Sequence, residues 1–253
     1  MSFAKYPSLE GRVVLITGGG SGIGGSMTEA FAGQGARVAF LDIDEAASGA
    51  LVGRLSGSRH KPLFIPCDVT DLAALKAAIV RVRGEVGPVS VLVNNAANDD
   101  RHSVDAVTPE YWDGAINVNL RHHFFASQAV RPHMRELGGG SIVNLSSTAW
   151  LFGGADFPVY ATAKAGVVGL TYALARAFGD DAIRVNAIAP GAVMTEKQLR
   201  LWYTDESAKV VASRQLIKER LLPEEIARAA LFLAADDSRM ITKQCITVDA
   251  GIR

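Results

Sequence analysis

Two side chains near the middle of the chain have types and a spacing that suit acid–base chemistry. Tyr160 and Lys164 are four residues apart, and the small and apolar residues around them predict a helix. Positions four apart share a helix face, and a lysine cation beside a phenol lowers the pKa of the tyrosine. Such a tyrosine can take a proton from a substrate alcohol near neutral pH. Ser147 follows a strand-like run and could hold the reacting oxygen by a hydrogen bond.

The tyrosine–lysine spacing is not specific by itself, because it recurs on many helices that have no catalytic role. Whether this spacing indicates a catalytic site depends on the fold that positions the two residues. Short apolar runs alternate with helical patterns along the chain. Most of these runs lack polar alternation, which is typical of strands buried on both faces. The predicted strands are Arg12–Thr17, Arg37–Leu41, Pro62–Pro66, Ser90–Asn94, Ser141–Ser146, Arg184–Ala189 and Gln244–Val248.

Amphipathic stretches between these strands predict helices. The alternation indicates an α/β fold of the Rossmann type, a doubly wound, seven-stranded parallel sheet with helices on both faces. Without a long linker or an internal repeat, residues 1–253 are predicted to form a single domain, with a polar, helix-prone substrate lid at about 194–222. The predicted helices are Ser26–Gln34, Glu45–Leu55, Asp71–Glu85, Pro109–Leu137, Val159–Phe178 and Pro223–Ala235.

The first predicted strand leads into a glycine-rich turn, Thr17 to Gly24, that opens a helix. Glycines let the backbone approach a pyrophosphate, whose charge then lies at the helix N-terminus. The second strand is followed by Asp42, whose carboxylate would accept hydrogen bonds from a ribose diol and repel a 2′-phosphate. The pattern therefore predicts NAD rather than NADP as the cofactor. A purely structural turn and an Asp42 that caps a helix or faces solvent are the plainer alternatives.

Composition narrows the classes of function. The 253 residues carry a formal net charge of zero and are 49% hydrophobic, which fits a globular protein with a large core. Balanced charge argues against nucleic acid or a membrane surface as a partner. Cys67 and Cys245 offer neither a disulfide framework nor metal-ligand spacing, and the N-terminus lacks the apolar core of a signal peptide. We therefore expect a cytoplasmic protein without a metal site.

Several motifs together resemble those of the short-chain dehydrogenase/reductase family, and the likeness covers essentially the whole chain. The resemblance implies one dinucleotide-binding domain, usually in a homotetramer, that transfers a hydride between a nicotinamide cofactor and a carbonyl or alcohol. The residues that carry it are Gly18, Gly22, Gly24, the run Asn94 to Ala97, Asn119, Ser147, Tyr160, Lys164 and Pro190-Gly191.

The resemblance also implies roles for single residues. Tyr160 would be the acid/base, Ser147 would orient the substrate oxygen, and Lys164 would hold the nicotinamide ribose. Asn119 would keep a water in a proton relay, although it could merely cap backbone. Asp68 would contact adenine and Thr195 the carboxamide, although each could be a helix cap instead. The implied cofactor set is Gly18, Ser21, Gly22, Ile23, Gly24, Asp42, Asp68, Val69, Asn94, Tyr160, Lys164, Pro190, Gly191, Val193 and Thr195.

Departures from the family pattern concern the substrate. The loop Asn98–His102 is unusually polar, and Trp150 replaces a common glycine. Polar groups beside an aromatic platform suit sugars, which are polyols with one relatively apolar face. The stretches 6–9, 95–102, 116–122, 202–204 and 249–253 resemble those of bacterial sugar 1-dehydrogenases, the D-xylose 1-dehydrogenase type in particular. This resemblance implies oxidation of an aldose C1 hydroxyl to an aldonolactone. The predicted substrate contacts are Asn98, Asp99, Ser147, Trp150, Tyr160 and Trp202.

Three alternatives stay open. The acids of the loop could be solvated, and Trp202 could belong to the core or to a subunit interface. The enzyme could instead reduce 3-oxoacyl thioesters or oxidise open-chain polyols, because the fold and the catalytic set do not choose the substrate. A protein that senses NAD without turnover is less favoured, since a sensor has no need of Asn119, Ser147, Tyr160 and Lys164 together.

Overall fold

The computed structural model describes residues 4–202 and 204–252. In this part of the chain the strands are β1 (Val13–Thr17), β2 (Arg37–Asp42), β3 (Leu63–Pro66), β4 (Val91–Asn94), β5 (Gly140–Leu145), β6 (Ile183–Pro190) and β7 (Cys245–Val248). They form one parallel sheet in the order β3-β2-β1-β4-β5-β6-β7. The predicted fold class is confirmed, and every strand boundary lies within about one residue of its prediction.

The central strands are buried throughout, which explains why they read as unbroken apolar runs. All residues of β1 and β4 are buried because parallel sheets are covered by helices on both faces. Successive strand residues point to opposite faces. Ile16 accordingly joins a core cluster with Phe31 and Leu231, whereas Leu15 joins a second cluster with Ile79. The sheet therefore separates two apolar cores and holds its carboxyl edge rigid between them.

Helices pack against both faces. They are α1 (Gly22–Gly33), α2 (Glu45–Arg54), α3 (Leu72–Glu85), α4 (Pro109–Ile116), α5 (His122–Glu136), α6 (Ala149–Phe152), α7 (Pro158–Phe178), α8 (Glu196–Leu201), α9 (Asp205–Arg214) and α10 (Pro223–Ala234). Helix α1 begins at Gly22, four residues before its predicted start at Ser26, because the end of the glycine turn forms its first turn.

The long helix predicted over Pro109–Leu137 runs as α4 and α5 joined by a π-helical turn at Asn117–Arg121. A π turn is rare and often marks a functional site. Asn119 lies at the centre of this turn and is buried. The change of helix type therefore falls on a residue that the sequence assigns to the site.

The interval 194–222, predicted to be a lid, contains the short helices α8 and α9. Thr195 caps α8, since its Oγ1 accepts a hydrogen bond from the Gln198 N–H at 3.2 Å. Whether the interval moves as a lid stays a prediction. Among the described residues, no helix combines the length and the apolar character needed to cross a membrane.

Candidate active site

A cleft of 940 Å³ opens at the carboxyl ends of the strands, where β1 lies between β2 and β4. The strand order reverses here, and open α/β sheets bind ligands at such a switch point. Most of the sequence-predicted site residues line this cleft. They are Gly18, Ser21, Gly22, Ile23, Gly24, Asp42, Asp68, Val69, Asp99, Ser147, Tyr160, Lys164, Pro190, Gly191, Val193 and Thr195.

The glycine turn packs backbone against backbone. Gly18 has a φ of +64°, and its N–H donates to the Leu41 oxygen at 2.7 Å. A Cβ at Gly24 would lie 1.7 Å from the Gly18 oxygen, and a Cβ at Gly18 would lie 2.8 Å from Ala96 Cα. Side chains at these positions would push the turn apart. Their absence keeps the N-terminus of α1, which begins at Gly22, at the wall of the cleft.

Asp42 ends β2 and faces the glycine turn. Its Oδ2 accepts the Gly20 N–H at 2.8 Å, and its Oδ1 accepts the Asp44 N–H at 3.0 Å. The plainer alternative, a helix cap, is filled by another residue, because α2 is capped by Asp44 through the Ala47 N–H at 2.9 Å. Each oxygen of Asp42 has a further lone pair for a ligand in the cleft.

The outer end of the cleft lies beyond β3. The exposed Asp68 accepts the Thr70 N–H at 2.8 Å, whereas α3 is capped by Asp71, so Asp68 is not the helix cap. Val69, the next residue, is buried. Ile43 is 75% exposed and lines the cleft next to Asp42, which gives this end an apolar surface that water now contacts.

These features fit a dinucleotide cofactor. A glycine turn at a helix N-terminus offers N–H donors and a favourable dipole to a pyrophosphate. Asp42 offers acceptors to a ribose diol, and Ile43 offers a planar base an apolar contact. Pro190 and Thr195 line the same cleft, which also contains Ser147 and Tyr160.

Tyr160 lies in the first turn of α7 and lines the cleft beside Ser147. Ser147 Oγ accepts the Ala149 N–H at 3.1 Å, which leaves its own proton for the hydrogen bond to the Tyr160 phenol. The neighbouring Ser146 is buried, and its hydroxyl donates to the Lys164 main-chain oxygen at 2.7 Å. The structure therefore brings Ser147 to Tyr160 and engages Ser146 elsewhere.

Lys164 is the buried cation of the site, with 1% of its surface exposed. Its Nζ donates to the Leu145 oxygen at 2.8 Å and lies 5.6 Å from the centre of the Tyr160 ring. Burial lowers the pKa of Lys164 from 10.5 to about 7, an effect that the Asp99 carboxylate partly opposes. Near neutral pH the lysine is therefore only partly protonated.

The pKa of Tyr160 corrects the sequence-based expectation. Burial first and the Asp99 charge second raise this pKa to about 12, although the Ser147 hydrogen bond and the Arg101 charge act in the opposite direction. The sequence predicted a lowered value because of Lys164. The effect of Lys164 on this pKa is weak because the burial that places the lysine beside the phenol also removes much of its charge.

Asn119 uses its carboxamide to hold the chain after β4. Its Oδ1 accepts the Asn98 N–H at 3.0 Å, and its Nδ2 donates to the oxygens of Asn98 at 3.0 Å and Ala115 at 2.9 Å. The side chain thus clamps backbone, as the plainer alternative proposed. A role in a proton relay would have to come from the main chain of the π turn.

Asn94, predicted to line the cofactor site, lies outside the cleft. It is fully buried, and its Nδ2 donates to Asn144 Oδ1 at 2.8 Å and to Ser127 Oγ at 3.3 Å. Its partners lie on β5 and α5, so it ties the sheet to a helix. Asn95 lines the cleft instead and donates to the Gly18 oxygen at 2.8 Å.

Asp99, predicted to contact the substrate as Ser147 and Tyr160 are, also lines the cleft. Its Oδ1 accepts from Lys197 Nζ at 2.9 Å, and its Oδ2 accepts from Gln198 Nε2. Burial disfavours the carboxylate, but Lys197, Gln198 and Arg101 outweigh it and hold the pKa of Asp99 below its usual range. An ion pair therefore joins the loop after β4 to helix α8 at the mouth of the site.

Arg101 places a second charge in the cleft. Its guanidinium lies 4.3 Å from the centre of the Phe157 ring and 5.3 Å from that of the Trp202 ring. Contact with two aromatic rings holds the cation by its electrostatic attraction to their faces. Trp202 does not line the cleft as predicted, but it helps to fix a residue that does.

Two other predicted substrate contacts do not line this cleft. Asn98 does not line the cleft; its Nδ2 donates to Asp100 at 2.8 Å and its Oδ1 accepts from Lys197 at 3.1 Å. Trp150 does not line it either, and its buried indole N–H has no hydrogen-bond partner among the described residues. The short helix α6 turns Phe152 toward the cleft instead.

Sequence reasoning missed several residues of the cleft, among them Ile43, Asn95, Arg101, Lys197 and Gln198. Each stands within about three positions of a residue that was predicted, so proximity along the chain was the available signal. It was not sufficient, because neighbouring residues in a loop point in different directions and only the packing of the loop decides which one faces the ligand.

Comparisons with known proteins are consistent with this geometry. A protein-family model described as "Enoyl-(Acyl carrier protein) reductase" matches residues 18–253. The D-xylose 1-dehydrogenase of Caulobacter vibrioides is 50% identical over 253 residues, which is 100% of both chains. The "Probable galactose dehydrogenase GalD" of Rhizobium meliloti is 49% identical over 98% of both chains. A solved short-chain type dehydrogenase/reductase from Mycobacterium ulcerans superposes with a TM-score of 0.92 at 25% identity, covering 98% of this chain and 91% of that one.

Proposed function

Because the chain belongs to the short-chain dehydrogenase/reductase family, we propose that it is an NAD-dependent aldose 1-dehydrogenase. It oxidises the C1 hydroxyl of an aldose to the aldonolactone. The observation that carries the proposal is that one cleft holds the glycine turn and Asp42 at one end and Tyr160, Ser147 and Lys164 at the other.

The sugar as substrate is supported by the polar end of the cleft. Asp99 and Arg101 offer acceptors and donors to neighbouring hydroxyls, and Lys197 and Gln198 extend this set from helix α8. These polar groups are partly buried, and a polar site that pairs with substrate hydroxyls discriminates against analogues that lack them. The two relatives that are about half identical over their whole length are named for D-xylose and galactose.

The cofactor would be held by the glycine turn at its pyrophosphate, by Asp42 at a ribose diol, and by Lys164 and Thr195 near the nicotinamide. When bound, it supplies the hydride acceptor and a positive ring that favours the phenolate of Tyr160. NAD is preferred over NADP because the Asp42 carboxylate would lie against a 2′-phosphate and repel it.

The reaction requires the C1 hydroxyl to lose a proton. Tyr160 is the base, and Ser147, fixed by the Ala149 N–H, holds the same substrate oxygen. Lys164, with its pKa near about 7, can pass the proton on toward solvent. Asn119 contributes by holding the π turn and the Asn98 loop in place, and any relay water would bind to the main chain of this turn.

The proposal extends to the setting of the enzyme. We place it in the cytoplasm, in keeping with Cys67 and Cys245, which are not joined in a disulfide. A homotetramer is expected from the family resemblance, and the partly exposed aromatic side chains Trp112, Phe124 and Tyr172 offer apolar surface for it. Light scattering during size-exclusion chromatography would measure the mass of the assembly directly.

The test is NADH formation with D-xylose, L-arabinose, D-galactose, L-fucose and L-rhamnose, each with NAD⁺ and with NADP⁺. Strong turnover of one sugar with NAD⁺ is expected. The Tyr160→Phe variant is the control, and it should lose turnover while it still binds NADH. If no sugar yields NADH or NADPH and the protein instead reduces a 3-oxoacyl thioester or oxidises an open-chain polyol, the substrate assignment is wrong. The assignment of the catalytic residues would still hold.

A further inference from the structure

The helix that carries Tyr160 begins without an ordinary cap. Its N-cap residue, Phe157, has no side-chain acceptor, and Pro158 at the first helical position has no N–H. The next main-chain donor, the N–H of Val159, needs a partner because the first turn of a helix offers none. In most helices a serine, threonine or aspartate at the N-cap would accept this N–H.

His102 provides the missing acceptor from a distant part of the chain. Its Nε2 accepts a hydrogen bond from the Val159 N–H, with 3.3 Å between the two nitrogens. Nε2 is therefore unprotonated, and the ring proton is on Nδ1. Nδ1 donates to the Asp100 oxygen at 3.0 Å and lies 2.8 Å from the Tyr111 hydroxyl, a second acceptor. This second pair of contacts fixes the tautomer that the cap needs.

The backbone of His102 supports the same helix start. Its N–H donates to the Asp156 oxygen at 2.8 Å, just before α7, and its ring packs against the Tyr111 ring with 4.8 Å between centres. The residues before it in the loop contact α8, the π turn and the Phe157 ring. The loop Asn98–His102 therefore contacts both the mouth of the cleft and the first turn of α7, and His102 makes the contacts to α7.

We propose that His102 is a positioning residue for the reaction, acting through the Val159 N–H to fix the first turn of α7 and with it the phenol of Tyr160. This inference rests on the proposed function in so far as Tyr160 is the base. A phenol that moves by about an ångström from the reacting oxygen loses much of its catalytic effect. The role needs an acceptor at the Nε2 position and no charge, so glutamine, whose side-chain oxygen can reach that position, can replace it.

The test compares His102→Leu, which keeps the bulk and removes the acceptor, with His102→Gln, which keeps an acceptor. In His102→Leu we expect kcat to fall about tenfold while the KM for NAD⁺ changes less than about twofold. Hydrogen exchange at residues 159–160 should be about tenfold faster in the leucine variant. The glutamine variant should recover most of both values. The matched control is Tyr111→Phe. It removes one contact of Nδ1 but keeps the Asp100 oxygen as its acceptor, so the Val159 hydrogen bond should stay and exchange should remain slow.

Wild-type kcat and wild-type exchange in His102→Leu would overturn the inference. If the leucine variant does not fold, His102→Gln decides alone, since a tenfold loss of kcat there would contradict an acceptor role and near-native kcat would support it. The exchange measurement needs no substrate. A wild-type protein that oxidises no aldose would therefore refute the proposed function, whereas the exchange data would still judge the cap.

Discussion

Replacing Lys164 with methionine is expected to stabilise the ligand-free protein at neutral pH while it removes activity. The reason is the burial that lowers the pKa of this lysine from 10.5 to about 7. Each unit corresponds to about 1.4 kcal/mol, so at pH 7 the folded state loses about 4 kcal/mol relative to an unfolded chain in which the lysine is protonated. Methionine would leave the Leu145 oxygen without its 2.8 Å donor, which costs about 2 kcal/mol. The expected net gain is about 2 kcal/mol.

The pH dependence has a definite sign. Between the folded pKa of about 7 and the unfolded value of 10.5, the unfolded chain binds more protons at this site, so the free energy of unfolding rises with pH. From pH 7 to pH 9 the lysine alone adds about 2 kcal/mol of stability to the wild type. The advantage of Lys164→Met should therefore shrink by that amount and nearly vanish at pH 9.

The assay is urea unfolding of both proteins at pH 7, 8 and 9, with sugar oxidation measured in parallel. Lys76→Met, at an exposed position on α3, is the matched control and should change neither stability nor its pH dependence. The claim that burial lowers the pKa of Lys164 would be refuted if Lys164→Met is less stable than the wild type at pH 7. It would also be refuted if the difference in free energy of unfolding between the two proteins does not shrink as the pH rises.

Three further substitutions test the charges of the site. Asp42→Ala should raise the KM for NAD⁺ by about tenfold and relax the bias against NADP⁺; unchanged cofactor kinetics would contradict its ribose role. Asp99→Asn removes a charge that raises the pKa values of Tyr160 and Lys164, so the pH profile of kcat should move to lower pH by about one unit. Arg101→Met removes a charge that lowers the pKa of Tyr160, so the pH profile of kcat should move to higher pH. If the Asp99 and Arg101 variants shift the profile equally and in the same direction, the effects assigned to both charges are wrong.

Features set by local sequence were predictable. The strands followed from unbroken apolar runs, and the glycine turn with Asp42 followed from the order of residues along one βα unit. The pKa of Tyr160 was not predictable, because it depends on Asp99, which reaches the site from another loop. The π turn was hidden too, since an apolar pattern in a long helix does not reveal one wider turn.

Orientation within loops and short helices was the other source of error. Asn94 and Asn95 are adjacent, yet one is buried in a network with Asn144 and the other faces the cleft. Trp150 was predicted as a platform because it replaces a common glycine three residues after Ser147. Which side chain faces the cleft depends on the path of the backbone after each strand. The residue type says little about that path.

The π turn at Asn117–Arg121 makes chain length as specific as residue identity in this part of the protein. Successive residues of an α-helix are rotated by about 100°, and the π turn takes up one extra residue in a single turn, so α5 keeps the register of α4. Beyond it, His122 and His123 are both fully buried. Deleting one residue within the turn would restore a regular helix and change the direction of the side chains there, including that of Asn119, which now bonds to Asn98. Deleting one residue outside the turn would rotate the adjoining helix by about 100°. Insertions and deletions should therefore be excluded here, even where single substitutions are accepted.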